Sequence, residues 1–461
     1  MVRIPAPLLS LRLRARQRNP PPTISFNPLS ASACPAYAAE RLGSGAPSCT
    51  LMKHILAYTS AAVALIAAPC AYAAEENAPI DHAVTVFNAG EGNPYKSIRI
   101  PSLINAGGKF LVALAEGRYN NADQGRNDII VSVSEDGGRT WSAPTIAAEA
   151  KGSTFNNPYI MYDPATEQLV LFFQCYPPGV SEQGKVKPAP GWENPQSLRN
   201  LVCFSKDGKS WTAPQDVTSA TKHADAVITC SGPNPGVVLT RGAHKGRLVV
   251  VFNEAPKFGN WHLTAAYSDD HGQTWQLGEK SPSGFGINEV SVAETEEGGV
   301  FVVSRHYGGP GGNTRRVAYS ANGGQSWNSV GIHSELPCFG CQNGLVRYSF
   351  ADDAERGSRS RIIFSGPRVG RMNGIIKMSY DDGKTWPVQK DMPPGPFAYS
   401  ALCPLEPGFF GILYEVNASP LREIRFARLP LSWLTDGADS GLAEDAAAPA
   451  QPEANAEPAQ E

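Results

Sequence analysis

Eight residues in five short polar segments carry the chemistry this chain can offer. "YKSIRIPSL" holds Arg99, "LAEGRYNNADQG" holds Arg118 and Asp123, and "GINEVSV" holds Glu289, with Arg305 shortly after it in "VVSRHY". "GRMNGIIKMSYDDGKTW" holds Arg371, and "FAYSALCPLEPGFFGILYE" holds Tyr399 and Glu415. Guanidinium groups bind carboxylates through paired N–H donors and never lose their charge, so a group of them suits an anionic ligand. Carboxylates transfer protons, and a tyrosine hydroxyl, with a pKa of about 10, reacts as a nucleophile only beside a base. Taken singly, each residue has an ordinary reading. A strand arginine is usually a surface cation or a salt-bridge partner, and an Asp in "NNADQG" usually shapes a turn. A lone strand Tyr packs, and a lone Glu is solvated. The joint order lifts them: Arg-Ile-Pro early, a repeated box between, and Tyr-Ser-x-Leu late.

The repeated box shows what must position these residues. Ser134–Trp141 reads SEDGGRTW, Ser268–Trp275 SDDHGQTW and Ser379–Trp386 SYDDGKTW. Ser320–Trp327 reads SANGGQSW, with Asn322 in place of the Asp, and Ser205–Trp211 reads SKDGKSW, one residue shorter. A return roughly every 50–70 residues marks a repeat architecture. Asp bonds its own backbone, Gly supplies a positive φ, and Trp packs beneath, so the box reads as a hairpin staple rather than a ligand contact. The two irregular boxes are expected to make weaker turns. Around them lie β-rich runs such as "DIIVSVS", "QLVLFFQCY", "RLVVVFNE", "GVFVVSRHY" and "RIIFSG", bounded by turn residues. Four-stranded units at this spacing predict an all-β fold, a β-propeller. Five boxes plus one unit without a box predict six blades.

The β-pattern runs from Val84 to Leu434 of the 461 residues, and 42% hydrophobic content is ample for a core. A net charge of −3 gives no reason to expect a nucleic-acid partner. Ahead of it, Met52-Lys53-His54, the apolar run Ile55–Ala68 and Ala71-Tyr72-Ala73 read as a signal peptide over residues 52–73. Its apolar run is too short to span a bilayer. Residues 1–51 then read as a mis-assigned leader before a start at Met52. The mature chain is expected to be exported, periplasmic or secreted, with no transmembrane anchor. The Ala-, Glu- and Pro-rich segment 436–461 reads as a disordered tail. Beyond the leader lie Cys175, Cys203, Cys230, Cys338, Cys341 and Cys403. Cys338-Phe339-Gly340-Cys341 lacks the second pair a zinc site needs, so a local disulfide or free thiols are expected, and no metal or cofactor.

Arg99-Ile100-Pro101 together with the boxes resembles the exo-α-sialidase (neuraminidase) family, over Val84–Leu434. That resemblance implies a six-bladed propeller with its site at the central axis. It implies that Arg99, Arg305 and Arg371 grip a sialic acid carboxylate and that Arg118 binds substrate. Asp123 is then the acid/base, Tyr399 the nucleophile activated by Glu289, and Glu415 the carboxylate that orients Arg99. Asp128 is a second acid near Asp123, so the acid/base role stays open between them. The implied activity is hydrolysis of terminal α-linked sialic acids from glycoproteins, glycolipids or other sialylated glycans. Transfer, including intramolecular transfer, and binding without turnover are the alternatives. The insert Pro177–Ser197 reads as a rim loop, with Trp192 as its obvious contact residue or anchor.

Overall fold

The computed structural model describes residues 82–307, 312–416 and 423–443. The expected leader and signal peptide, and residues 444–461 of the expected tail, lie outside them. The β-branched and aromatic runs form strands as read: Asn127–Ser134, Gln168–Tyr176, Leu248–Ala255, Val300–His306 and Arg361–Val369. Two four-residue helical turns, Thr218–Thr221 and Leu431–Leu434, are the α-helices among the described residues.

The strands form antiparallel meanders. By hydrogen bonding they divide into five sheets, not the six expected: three of four strands, one of five and one of eight. The eight-stranded sheet joins a meander from Ser97 to Ala148 to another from Thr154 to Asp216. The link between them is one parallel pairing, Asn127 with Thr154. The first and last strands meet in a single sheet, where Val84–Asn88 pairs antiparallel with Glu423–Pro430. Apolar residues of successive meanders fill the spaces between them. In one such cluster Phe172 stacks on Phe252 and meets Trp275 at 5.8 Å.

Each box turns the chain from the third strand of a meander to the fourth. In the first, Asp136 Oδ1 accepts from Ser134 Oγ (2.8 Å) and from Thr140 N (2.9 Å), and Oδ2 accepts from Thr140 Oγ1 (2.6 Å). Trp141 Nε1 donates to the Gly138 carbonyl at 3.2 Å. Gly138 sits at φ 91°, and a Cβ there would lie 2.1 Å from the Phe426 ring of the last sheet. The turn therefore also docks one sheet on another. The two irregular boxes still close their Asp- or Asn-centred ring, although Trp327 Nε1 of one donates to the Glu279 carbonyl instead of its own turn. Asn322 Oδ1 takes Ser320 Oγ and Ser326 N, while its Nδ2 donates to Ser326 Oγ at 2.9 Å. The short box closes the same ring one residue sooner, through Asp207 and Ser210 N at 2.7 Å.

The folded unit extends past the expected boundary at Leu434. Asp439 is buried and pairs with Arg361 at 2.6 Å, so residues 436–443 are part of the packed domain and not tail. All six cysteines beyond the leader are free thiols, Cys338 and Cys341 included.

Candidate active site

The side chains that meet at the site are aimed by irregular strands. Strand Ser97–Asn105 loses register between Arg99 and Ser102, and within that break Ile100 sits at φ 65°. A β-branched residue takes this conformation only where its surroundings force it. Glu415 supplies the force: its Oε1 accepts Ile100 N at 2.9 Å, while its two oxygens take Arg99 Nε and Nη2 at 3.2 Å each. Its Oε2 also accepts Tyr399 N at 3.2 Å. Similar breaks occur between Asn156 and Tyr159, with Asn157 at φ 55°, and between Ile287 and Val290, which releases Glu289. Bulges of this kind re-aim side chains out of the pleat.

Those side chains wall a cavity of about 200 Å³. Seven of the eight sequence-selected residues line it: Arg99, Arg118, Asp123, Glu289, Arg305, Arg371 and Tyr399. Glu415 stands fully buried behind Arg99. The Tyr399 hydroxyl donates to Glu289, with oxygens at 2.6 and 2.8 Å, and accepts from Arg305 Nη1 at 3.0 Å. Burial, reinforced by the Glu289 charge, pushes the tyrosine far above its ordinary pKa. It is neutral at rest, with a carboxylate already in place to take its proton.

The arginines differ in their partners. Arg99 holds Glu415, Arg118 holds Glu116 and Asp123 (2.6 Å each), and Arg305 holds Glu289 (2.9 Å). Burial works against the charges of Arg99 and Arg305, but Glu415 and Glu289 outweigh it and raise both pKa values. Arg371 alone of the four has no carboxylate partner among the described residues; its guanidinium lies 5.5 Å from the Tyr399 ring centre. The cavity thus presents donors that a ligand carboxylate can satisfy.

Asp123 sits at the mouth, its side chain 67% exposed. Burial tends to raise its pKa, but the Arg118 guanidinium, with smaller help from Arg99 and Arg371, holds it below the usual range. Asp128 is elsewhere: it is fully buried and accepts from Tyr95 OH, Tyr119 OH and Ala150 N. Trp192 does not line the cavity either; its carbonyl accepts from Arg199. From the insert it is Glu182 that enters, bonded by the Tyr176 hydroxyl.

Sequence reasoning missed Glu116, Asn156, Asn157, Tyr176 and Glu182. Glu116 had a signal, since it lies two residues from Arg118 and so on the same strand face. It is buried, which raises its pKa, and it accepts from Arg118, Asn156 Nδ2 (3.0 Å) and Asn157 N (2.8 Å). The others depend on bulges and a loop path with no local mark. Among the described residues no group of three or more His, Cys, Asp or Glu is placed to hold a metal ion.

A β-propeller whose cavity combines an arginine wall with a Tyr–Glu pair defines a class of glycosidase-like sites, and comparison with known proteins agrees. The BNR repeat-like domain family matches residues 108–412. A sialidase of Micromonospora viridifaciens is 33% identical over 360 residues, covering 75% of this chain and 53% of that one. This chain therefore spans about half the length of that relative. Among solved structures, the Hadza microbial sialidase Hz136 matches with a TM-score of 0.65 at 25% identity, over 76% of this chain and 69% of that one. A leech intramolecular trans-sialidase in complex with 2,7-anhydro-Neu5Ac shares the fold, with a TM-score of 0.65 at 20% identity over 77% and 71% of the two chains. The chain belongs to the sialidase family with BNR repeats.

Proposed function

We propose that this protein is an exo-α-sialidase that hydrolyses terminal α-linked sialic acids with retention of configuration. The observation that carries the reading is the Tyr399 hydroxyl bonded to Glu289 at 2.6 Å inside an arginine-walled cavity. A sialoside bears a carboxylate on its anomeric carbon. Arg371, Arg305 and Arg99 take that carboxylate, and their field draws the anionic substrate in. A carboxylate nucleophile would be repelled by the substrate's own charge, whereas a neutral tyrosine is not. The use of tyrosine by sialidases is an established exception among retaining glycosidases.

Glu289 removes the Tyr399 proton as the phenolic oxygen attacks the anomeric carbon. Asp123 protonates the departing glycosidic oxygen, then takes a proton from the water that cleaves the glycosyl–tyrosine bond. Against burial, Arg118 is the main group that lowers its pKa, with smaller help from Arg99 and Arg371; a carboxylate held by Arg99 and Arg371 offsets that smaller part and shifts Asp123 toward the protonated form its first role needs. We read the two meanders of the eight-stranded sheet as separate blades, which makes six around the site. Residues 52–73 support export, so the substrates are sialylated glycans outside the cytoplasm.

The test is release of sugar from a fluorogenic α-sialoside by wild type and Tyr399→Phe, with product analysis. Free sialic acid from wild type and a loss of about 10³-fold or more in the variant, the order seen when a nucleophile is removed, is the expected result. A 2,7-anhydro product would replace hydrolysis by intramolecular transfer. No turnover over a panel of linkages would leave a binding protein.

A further inference from the structure

Glu289 and Tyr399 stand on different sheets. Glu289 lies in strand Ile287–Glu294 of one, and Tyr399 directly precedes strand Ser400–Pro404 of another. A further sheet, which opens with Gly344–Ser349, belongs to neither. Each residue is held within its own sheet: Arg305 pairs with Glu289, and Glu415 Oε2 accepts from Tyr399 N. Those bonds do not set the distance between the two. The 2.6 Å bond from Tyr399 to Glu289 does so at rest. It is also the bond that the proposed reaction consumes, because the proton crosses it as the phenolic oxygen moves to the anomeric carbon. The two backbones must then be kept at one spacing by groups outside the reaction.

Buried amides that do not line the cavity make that connection. Gln342 holds the residue after Tyr399: its Oε1 accepts from Ser400 N at 3.3 Å, and its Nε2 donates to the Ser400 carbonyl at 3.1 Å. The next residue, Asn343, holds the strand of Glu289, its carbonyl accepting from Ser291 Oγ at 2.6 Å. Asn234 closes the joint from a third direction. Its Nδ2 donates to the Ser291 hydroxyl at 3.0 Å and to the Asn343 carbonyl at 2.7 Å. The carbonyl of Pro233, beside it, accepts from Gln342 Nε2 at 3.2 Å. Asn234, Ser291, Gln342, Asn343 and Ser400 are all fully buried. The segment that carries Asn234, residues 232–236, is tightly confined. A Cβ on Gly232 would lie 1.5 Å from the carbonyl oxygen of Val290, the residue after Glu289. At the segment's other end Gly236 N donates to the Ile160 carbonyl at 2.8 Å. Buried amides that served only to hold a loop would bond that loop alone. These bond the strand that carries the base and the residue next to the nucleophile.

We propose that Gln342, joined to Ser291 through Asn343 and Asn234, is a positioning residue that sets the spacing of Glu289 and Tyr399 from beneath the cavity. This rests on the reading of those two as base and nucleophile. The experiment uses the full chain and an aryl α-sialoside, with wild type, Gln342→Met, Glu289→Gln and the double variant. A misplacement of about 1 Å can cost about 100-fold, so Gln342→Met is expected to lose about 10- to 100-fold in kcat/KM at a temperature where its melting curve shows it folded. Its affinity for the uncleavable 2-deoxy-2,3-didehydro sugar acid, which needs the arginines but no proton transfer, is expected to stay within about twofold. On Glu289→Gln, where no base is left to align, the same change is expected to cost less than about twofold, because residues that act as a unit do not add. The same factor in both backgrounds, a parallel loss of affinity for the uncleavable sugar, or no loss at all would overturn the proposal and leave the Tyr–Glu reading in place. Near wild-type activity in Glu289→Gln, or no turnover by wild type, would overturn that reading and the proposal with it. Should Gln342→Met fail to fold, Ser291→Ala, which removes a single hydroxyl, takes its place with the same expected pattern and the same overturning results.

Discussion

The carboxylate of Glu415 accepts from Arg99 Nε, Arg99 Nη2, Ile100 N and Tyr399 N, so it fixes two functional side chains and the left-handed residue between strand and site. Glu415→Gln keeps the shape but replaces one acceptor oxygen with a donor. Buried donors left unmet cost about 1–3 kcal/mol. The variant is expected to melt lower and to raise KM, because Arg99 is no longer held; an unchanged melting curve with unchanged KM would remove Glu415 from the positioning role. Asp123 makes a different prediction, because the proposed mechanism uses only its proton. Asp123→Asn is expected to lose about 10²–10⁴-fold on a glycan whose leaving alcohol needs protonation. On an aryl sialoside, whose phenolate leaves without help, the loss is expected to be much smaller. Equal losses on both substrates would assign the proton to another group. At this scale the residue types were readable and their partners were not. The arginines and Tyr399 stand out because short segments in or beside strands seldom carry them in such company, while Glu182 lies in a loop whose path the sequence does not mark.

At the scale of the element, the box is the best-read feature of the chain because its hydrogen-bond ring closes within eight consecutive residues. Asn322 shows that the ring also closes with an amide, since its Nδ2 supplies the hydrogen bond that Thr140 supplies to Asp136. Ionised Asp is favoured where it occurs. The Thr140 hydroxyl and backbone N–H, with Ser134 and Arg139 N, hold Asp136 at about 2, below the usual 3.8. Ser210 N lowers Asp207 likewise; at Asp270 and Asp381 burial opposes the shift, but bonds from Thr274 and Thr385 prevail. A folded pKa below the unfolded one gives stability that is present above the unfolded value and lost as pH falls through the folded one. Asp136→Asn is therefore expected to fold, to be less stable than wild type at neutral pH, and to draw level with it between pH 3.8 and about 2. Urea midpoints across that range measure it; a gap independent of pH would mean the ring draws nothing from the charge. The bulges at Arg99, Asn156 and Ile287 were not readable, because their backbone bonds go to side chains on other strands: Glu415 takes Ile100 N, Glu116 takes Asn157 N and Ser304 takes Asn288 N.

At the scale of the whole molecule, strand composition reveals how many segments pair, but not which sheet each joins. The eight-stranded sheet depends on one bridge that no pattern announces. The closing pairing lies at the greatest sequence distance of all, with Val84 opposite Phe426 and Asn88 opposite Glu423. This closure bears on the site directly. Its sheet contains Ser400–Pro404, which follows Tyr399, and Phe409–Val416, which carries Glu415. Phe87 and Val86 are buried against Ile424 and Phe426, and without them Glu423–Pro430 becomes an open edge with its apolar face uncovered. A chain that begins at Asn93 is therefore expected to lose cooperative unfolding and, with it, the fixed distance between Tyr399 and Glu289. Its kcat/KM is expected to fall further than its melting temperature alone would explain at an assay temperature where it is still folded. A peptide of residues 82–92 added in trans is expected to restore part of both, because the missing strand binds through backbone pairing that needs no covalent link. Full activity in the shortened chain would show that the arginine wall and the Tyr–Glu pair are held by their local bonds and do not need the closed ring.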